Sequence, residues 1–313
     1  MVQENSLGFA VLIVGPTGSG KTALSISLAN KINGEVVSAD SVAIYKGLNV
    51  GSAKPTKEER TLCPHHLIDV VEPNEEFSVA EYEKLALFAV NDIFDRHKTP
   101  IICGGTGFYV DSLLYKRRYG GCGKNEVVRD KIQNLLQEKG QKYLYEELKK
   151  IDAETAEKLH ENDVFRVSRA LEIYFSTGKK KSEIKDEKKP RFPYYAFYFD
   201  YPRAELYARI DERVDKMFKN GLIEEVEGLL SSGVKKDAQS MKGIGYKEVV
   251  EGLSEGRTID EIKETIKQNS RRFAKRQITY FKRLDGLKPL NPCLPEEAAN
   301  IIFKEIENER PIY

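Results

Sequence analysis

Residues 15–22 read Gly15, Pro16, Thr17, Gly18, Ser19, Gly20, Lys21 and Thr22. A glycine, four free positions, then glycine, lysine and threonine is the spacing of a phosphate cradle. Successive backbone N–H groups of such a loop turn inward as a nest for phosphate oxygens. The helix that follows adds the partial positive charge of its N-terminus. Glycines let the backbone approach the anion with no Cβ in the way. Lys21 supplies a full charge, and the Thr22 hydroxyl is a candidate ligand for Mg²⁺. An ordinary glycine turn before a helix is the plainer alternative, but residues 9–14 (FAVLIV) form an apolar strand pattern before the loop and a helical pattern follows it. The cradle fixes phosphate binding only. Phosphoryl-transfer enzymes also carry an apolar strand ending in a magnesium-binding aspartate. Asp40 and Asp69 both end apolar runs, so a P-loop kinase stays open, and Asp40 reads equally well as a turn cap.

The elements that must hold these residues follow from periodicity. Residues 9–14 read as a buried strand of a parallel sheet, and 21–33 as a helix ending near Gly34. Residues 35–39 give a second strand closed by Asp40, and 67–71 a further candidate. Residues 78–97 form an amphipathic helix, with Ser78 as N-cap and Glu81 completing a capping box. Residues 99–103 form a strand running into the GGTG turn. Strand and helix in alternation imply an α/β core on a parallel sheet, spanning residues 1–115. Residues 116–190 are polar and read as a mostly helical insertion. Residues 194–200 (YYAFYFD) look like a strand returning to the sheet, more plausible as sheet core than as a stacking platform. The 191–313 stretch then continues with helices over 203–231, 246–255, 258–284 and 296–308.

Composition narrows the class. Hydrophobic residues at 40% and charged residues at 32% fit a soluble globular chain. No apolar run is long enough for a membrane span, and the N-terminus shows no secretory pattern. The four cysteines, Cys63, Cys103, Cys122 and Cys293, form no CxxC pair, so a reduced cytoplasmic setting is expected. Cys63, His65 and His66 raise a metal site, but a closed zinc site needs a fourth ligand. The net charge is only +1, yet residues 263–283 hold eight Lys or Arg against one acid, Glu264. That segment is a patch for polyanions or simply a solvated helix face.

Four further segments narrow the open alternatives. They are DSVAIYKGLNVGSAKPT at 40–56, PIICGGTGFY at 100–109, RVSRALEIYFSTGK at 166–179, and KGIGYKE at 242–248 followed by RRFAKRQITYFKR at 271–283. Together with GPTGSGKT they resemble the tRNA dimethylallyltransferases, the bacterial tRNA isopentenyltransferase family. The resemblance runs in order over nearly the whole chain. It implies a P-loop NTPase-like core, a helical insertion that grips the anticodon stem-loop, and a helical C-terminal region. It implies transfer of dimethylallyl from dimethylallyl diphosphate to the exocyclic amine of the adenosine just 3′ of the anticodon, in tRNAs reading codons that begin with U. Mg²⁺ assistance and a monomeric state are expected with it.

Carried onto this chain, the resemblance places Asp40 as general base, Thr106 against the adenine, and Arg213, or else Arg209, on the pyrophosphate. Thr17 to Thr22 match the donor loop. Asp40, Ser41, Val42 and Ala43 match tRNA-contacting positions, as do Phe165, Arg166, Val167, Ser168 and Arg169. So do Lys242, Gly243, Ile244, Gly245, Tyr246 and Lys247. The chemistry is consistent with these assignments. An adenine amine is a weak nucleophile, and a carboxylate beside it can take its proton as the new bond forms. Lys21, Arg213 and backbone amides would stabilise the charge growing on pyrophosphate. A stacked base must be extruded to reach them, at a cost of roughly a few kcal/mol. Residues after Leu284 contain one cysteine and no histidine, so the zinc-finger extension of eukaryotic relatives is not expected. An adenylate isopentenyltransferase, acting on free nucleotide, is the nearest alternative. A small-molecule kinase comes after it.

Overall fold

The computed structural model describes residues 8–185, 187 and 189–313; residues 1–7, on which the expectation about a leader rests, lie outside it. Two compact units result. One joins the chain up to Leu114 with Pro190–Tyr313; the other is Tyr115–Lys189.

The first unit is built on a parallel sheet. Its strands are β1 (Ala10–Val14), β2 (Gly34–Ser38), β3 (His65–His66), β4 (Thr99–Gly104), β5 (Tyr194–Phe199) and β6 (Leu287–Leu290). They lie in the order β3-β2-β4-β1-β5-β6, and every pair is parallel. β1 is buried along its whole length at the centre, which explains why it reads as an uninterrupted apolar run rather than an alternating one. β5 is the aromatic stretch, and five of its six residues are buried in the sheet. Val11, Ile13, Phe197 and Phe199 pack with Leu24 and Leu28 of α1 (Lys21–Ile32) and with Ala298, Ala299 and Ile302 of the last helix.

Around the sheet run α2 (Lys57–Leu62), α3 (Val79–Asp95) and α4 (Gly107–Leu114). Ser78 and Glu81 close the predicted capping box on α3. The second unit holds α5 (Glu126–Ile151), α6 (Ala153–Glu157) and α7 (Val164–Thr177). Its core is Ile132, Leu144, Leu148, Val167, Ala170 and Leu171. Glu172 is buried there. Burial opposes its charge, but hydrogen bonds from Arg129, the Asn125 amide and Arg169 prevail and hold the carboxyl below its ordinary range. The chain leaves the first unit after Leu114, and on return the Arg191 N–H donates to the Leu114 carbonyl at 2.7 Å. α8 (Arg203–Lys219), α9 (Leu222–Ser231), α10 (Tyr246–Ser254), α11 (Ile259–Phe281) and α12 (Pro295–Asn308) complete the first unit.

Three expectations need correction. Residues 67–71 are not a strand: Leu67 and Asp69 have φ of 62° and 57°, outside the extended region, and only Val71 bridges, to Tyr45. The helix expected over 203–231 is two helices, broken at Gly221 with φ 89°. The stretch between the helices expected over 258–284 and 296–308, read without any element, contains β6. Pro289 is tolerated there because β6 is the sheet's edge strand.

Candidate active site

Three loops leave the carboxyl ends of neighbouring central strands: residues 15–20 after β1, Ala39 and Asp40 after β2, and Gly105 and Thr106 after β4. In an open parallel sheet this edge is where ligands bind. A cavity of about 1240 Å³ lies there, entirely within the first unit, and Thr17, Lys21, Asp40, Thr106, Arg213 and Lys242 are among its walls.

The phosphate loop is shaped from within. Gly18 and Gly20 have φ of 78° and 85°, and Gly20 caps α1; a side chain at either would be strained. The Ser19 hydroxyl donates to the Pro16 carbonyl at 2.9 Å, and Lys21 Nζ donates to the same carbonyl at 2.6 Å. Burial lowers Lys21 from 10.5 to about 8; Arg213 acts in the same sense and Asp40 opposes it. The lysine is therefore a partly desolvated cation facing a cavity, where an incoming anion recovers the energy of its charge.

The second wall carries Asp40. Its Oδ1 accepts from the Val42 N–H at 2.8 Å and the Ala43 N–H at 3.1 Å, so one oxygen caps the turn. Thr106 is tied to the same turn: its N–H donates to the Ala39 carbonyl, and its Oγ1 accepts from the Ser41 N–H at 3.0 Å. Gly104 makes this closeness possible, since a Cβ there would stand 2.2 Å from the Ala39 carbonyl oxygen.

Both candidate arginines reach the cavity from α8. Arg209 donates to the Gly18 carbonyl at 3.0 Å and lies over the Tyr201 ring, bracing the loop. Arg213 donates to the Ser52 carbonyl, and burial holds its guanidinium below the ordinary range against the pull of Asp40. Of the two, Arg213 is the desolvated charge beside Lys21 and Asp40.

The remaining expected positions separate into surface and core. Ser41, Lys242 and Lys247 are exposed; Gly243 and Ile244 are part-exposed and line the cavity. Gly245 and Tyr246 are buried, and the Tyr246 hydroxyl donates to Glu225 at 2.6 Å. Glu225 also accepts from the amides of Asn49, Val50 and Gly51. Tyr246 is thus a framework residue, not a contact surface. In the second unit Phe165 and Arg166 are exposed, Ser168 is part-exposed, and Val167 is buried in the core, its side chain unavailable to a ligand. Arg169 donates to the Tyr119 and Cys122 carbonyls and pairs with Glu172.

The basic segment also divides. Arg271 pairs with Asp211 at 2.5 Å, and Lys263 and Lys267 with Asp215, which ties α11 to α8. Arg272, Lys275 and Arg276 stay exposed. Asp69 is held by Lys54 at 2.6 Å and Arg60 at 2.8 Å. In the CPHH segment the His65 Nδ1–H donates to the Cys63 carbonyl and His66 pairs with Glu35.

Gln277 escaped the sequence reading. It is 6% exposed, on the stripe of α11 that buries Ile266, Ser270, Ala274 and Phe281. Its Oε1 accepts from the Thr17 N–H at 3.0 Å, and its Nε2 donates to the Gly105 carbonyl at 2.9 Å. A long polar side chain on the apolar stripe of an amphipathic helix was the available signal.

Comparison with known proteins agrees with this architecture. Residues 43–284 match the family described as IPP transferase. A tRNA dimethylallyltransferase of Caldanaerobacter subterraneus subsp. tengcongensis is 48% identical over 283 residues, covering 89% of this chain and 90% of that one. The solved tRNA isopentenylpyrophosphate transferase of Bacillus halodurans is 37% identical, with a TM-score of 0.71 over 96% of this chain and 97% of its own. A eukaryotic dimethylallyltransferase acting on tRNA superposes with a TM-score of 0.82 at 30% identity, covering 97% of this chain and 80% of that one. With the P-loop motif, the parallel sheet and a match over about nine tenths of the chain in agreement, the chain belongs to the tRNA dimethylallyltransferases and is a prenyltransferase.

Proposed function

We propose that this chain transfers dimethylallyl from dimethylallyl diphosphate to the exocyclic amine of the adenosine 3′-adjacent to the anticodon, in tRNAs that read codons beginning with U. The observation that carries the reading is the shared cavity: the phosphate loop and the Asp40–Thr106 turn are walls of one space. A diphosphate held at the loop and an adenine held at the turn would meet inside it.

In this reading the allylic C1–O bond breaks as the N6–C1 bond forms, and pyrophosphate leaves with the electron pair. Lys21, Arg213 and the loop amides stabilise the charge that grows on the leaving oxygens. Asp40 takes the amine proton; its Oδ1 is held by two amides, which leaves Oδ2 for that task. Thr106, fixed through Ser41, orients the base. Mg²⁺ suits the donor set: Thr22, a hydroxyl-bearing residue, lines the cavity, and this cation binds through few protein oxygens, waters and substrate phosphates. Thr22 and the diphosphate would hold it, and it would neutralise charge on the leaving group. Arg272, Lys275 and Arg276, with Phe165 and Arg166 of the insertion, are the side chains proposed for the RNA. The enzyme proposed here is cytoplasmic and monomeric; among the described residues no helix is long and apolar enough to cross a membrane. The engagement of Asp69 by Lys54 and Arg60 speaks against its use as a kinase's magnesium ligand.

The test is incubation with labelled dimethylallyl diphosphate and unmodified tRNA, in parallel with AMP as acceptor and with labelled ATP. Isopentenyladenosine in digested tRNA is expected. Label in AMP alone would reassign the acceptor, and phosphoryl transfer without prenyl transfer would overturn the reading.

A further inference from the structure

We infer that Gln277 is a positioning residue that sets the spacing between the donor's phosphate loop and the acceptor's Asp40–Thr106 turn. The inference rests on the reading of the cavity as the joint donor and acceptor site.

The phosphate loop and the Asp40–Thr106 turn are the two walls to be spaced. Gln277 joins them with both ends of one amide. Its carbonyl takes the Thr17 N–H of the phosphate loop, and its NH₂ gives to the Gly105 carbonyl, one residue before Thr106. From there the Thr106 N–H reaches the Ala39 carbonyl, and Thr106 Oγ1 takes the Ser41 N–H, on either side of Asp40. The side chain is buried, which limits competition from water for the two bonds. Gly105 is shaped to admit it: a Cβ there would lie 2.2 Å from Gln277 Nε2. The helix that carries Gln277 also presents Phe273 and Arg276 to the same cavity. A group transfer depends on the approach distance of its two reacting atoms, and a shift of about 1 Å can cost 10²-fold in rate. A brace between the two walls controls that distance, so its loss falls on the transfer step more than on binding.

The test compares wild type with Gln277→Met, which keeps the bulk and loses both bonds, and Gln277→Glu, which keeps the bond from Thr17 and sets a carboxylate oxygen against the Gly105 carbonyl. Single-turnover transfer to an anticodon stem-loop is measured beside the affinities for an unreactive alkyl diphosphate and for the stem-loop, and the melting temperature. Gln277→Met is expected to transfer roughly 10- to 100-fold more slowly with both affinities within about threefold of wild type. Its loss should shrink in a Thr106→Ala background, because the two act on one geometry. Gln277→Glu should recover relative to wild type as the pH falls, since a protonated carboxyl can donate to Gly105. A rate within threefold of wild type, a loss that tracks donor affinity or unfolding, or additive double variants would overturn the inference. No transfer by the wild-type chain would overturn the functional reading and this inference with it.

Discussion

On the proposed reading, Lys21 makes the donor's affinity depend on pH. Burial brings this ammonium to about 8, against 10.5 for the free side chain. Because the folded value is the lower one, the unfolded chain binds more protons between these limits, and stability rises with pH across that window. Below it, holding the charge costs the empty protein about 3 kcal/mol, at about 1.4 kcal/mol per pH unit of displacement. A bound diphosphate is an opposite charge at contact distance and restores the proton. Affinity is then flat up to about pH 7 and falls above about pH 8 with a limiting slope of roughly one decade per pH unit. It should be about tenfold weaker at pH 9 and about thirtyfold weaker at pH 9.5. The ligand for the assay is an unreactive alkyl diphosphate, whose last proton leaves near pH ~6 and so does not contribute. Calorimetry in two buffers of different ionisation enthalpy should count about 0.9 proton taken up per diphosphate at pH 9 and about 0.1 at pH 7. Lys21→Met should bind more weakly at neutral pH and lose the alkaline fall. Constant affinity to pH 9.5 with no proton uptake would show that Lys21 stays charged without its ligand.

Asp40→Asn keeps the turn cap but cannot accept the amine proton; single-turnover transfer should fall by roughly 10²- to 10⁴-fold with tRNA and diphosphate affinities near wild type. Donor affinity rescued by high Mg²⁺ would point instead to a metal ligand. Replacing Arg272 and Arg276 by Gln should weaken tRNA binding and reduce the slope of log affinity against log salt by about 0.7 to 0.9 per lost phosphate contact, whereas Arg271→Gln should act mainly on stability through Asp211. Glu225→Ala strands the amides of Asn49, Val50 and Gly51 and the Tyr246 hydroxyl; a loss of about 2–3 kcal/mol in urea denaturation is expected.

Chain order and period made the fold legible. β1, β4 and β5 are buried runs without alternation, α3 carries its capping box, and each is where its pattern places it. What failed was local. A non-glycine residue at positive φ, as at Leu67 and Asp69, leaves no mark in an apolar run. An edge strand of four residues containing a proline has too few ladder bonds to impose a pattern on its sequence. At the site, the phosphate loop is contiguous, and its spacing alone points to a phosphate. Partners brought together by the sheet are not. Gln277 lies 260 residues from Thr17 and 172 from Gly105, and nothing local to any of the three announces the bond. Charge counts misled for a related reason: Arg271 and Lys267 read as a free basic face because their acids, Asp211 and Asp215, sit on another helix.

The hydrogen bond from Arg191 to Leu114 has an evolutionary reading. The two ends of the inserted segment stand one bond apart on the core, so the whole of it hangs from a single doorway in the chain. A lineage could lengthen, shorten or replace what passes through that doorway without redrawing the sheet or the phosphate loop. A graft from a relative joined at Leu114 and Arg191 is then the natural unit of exchange.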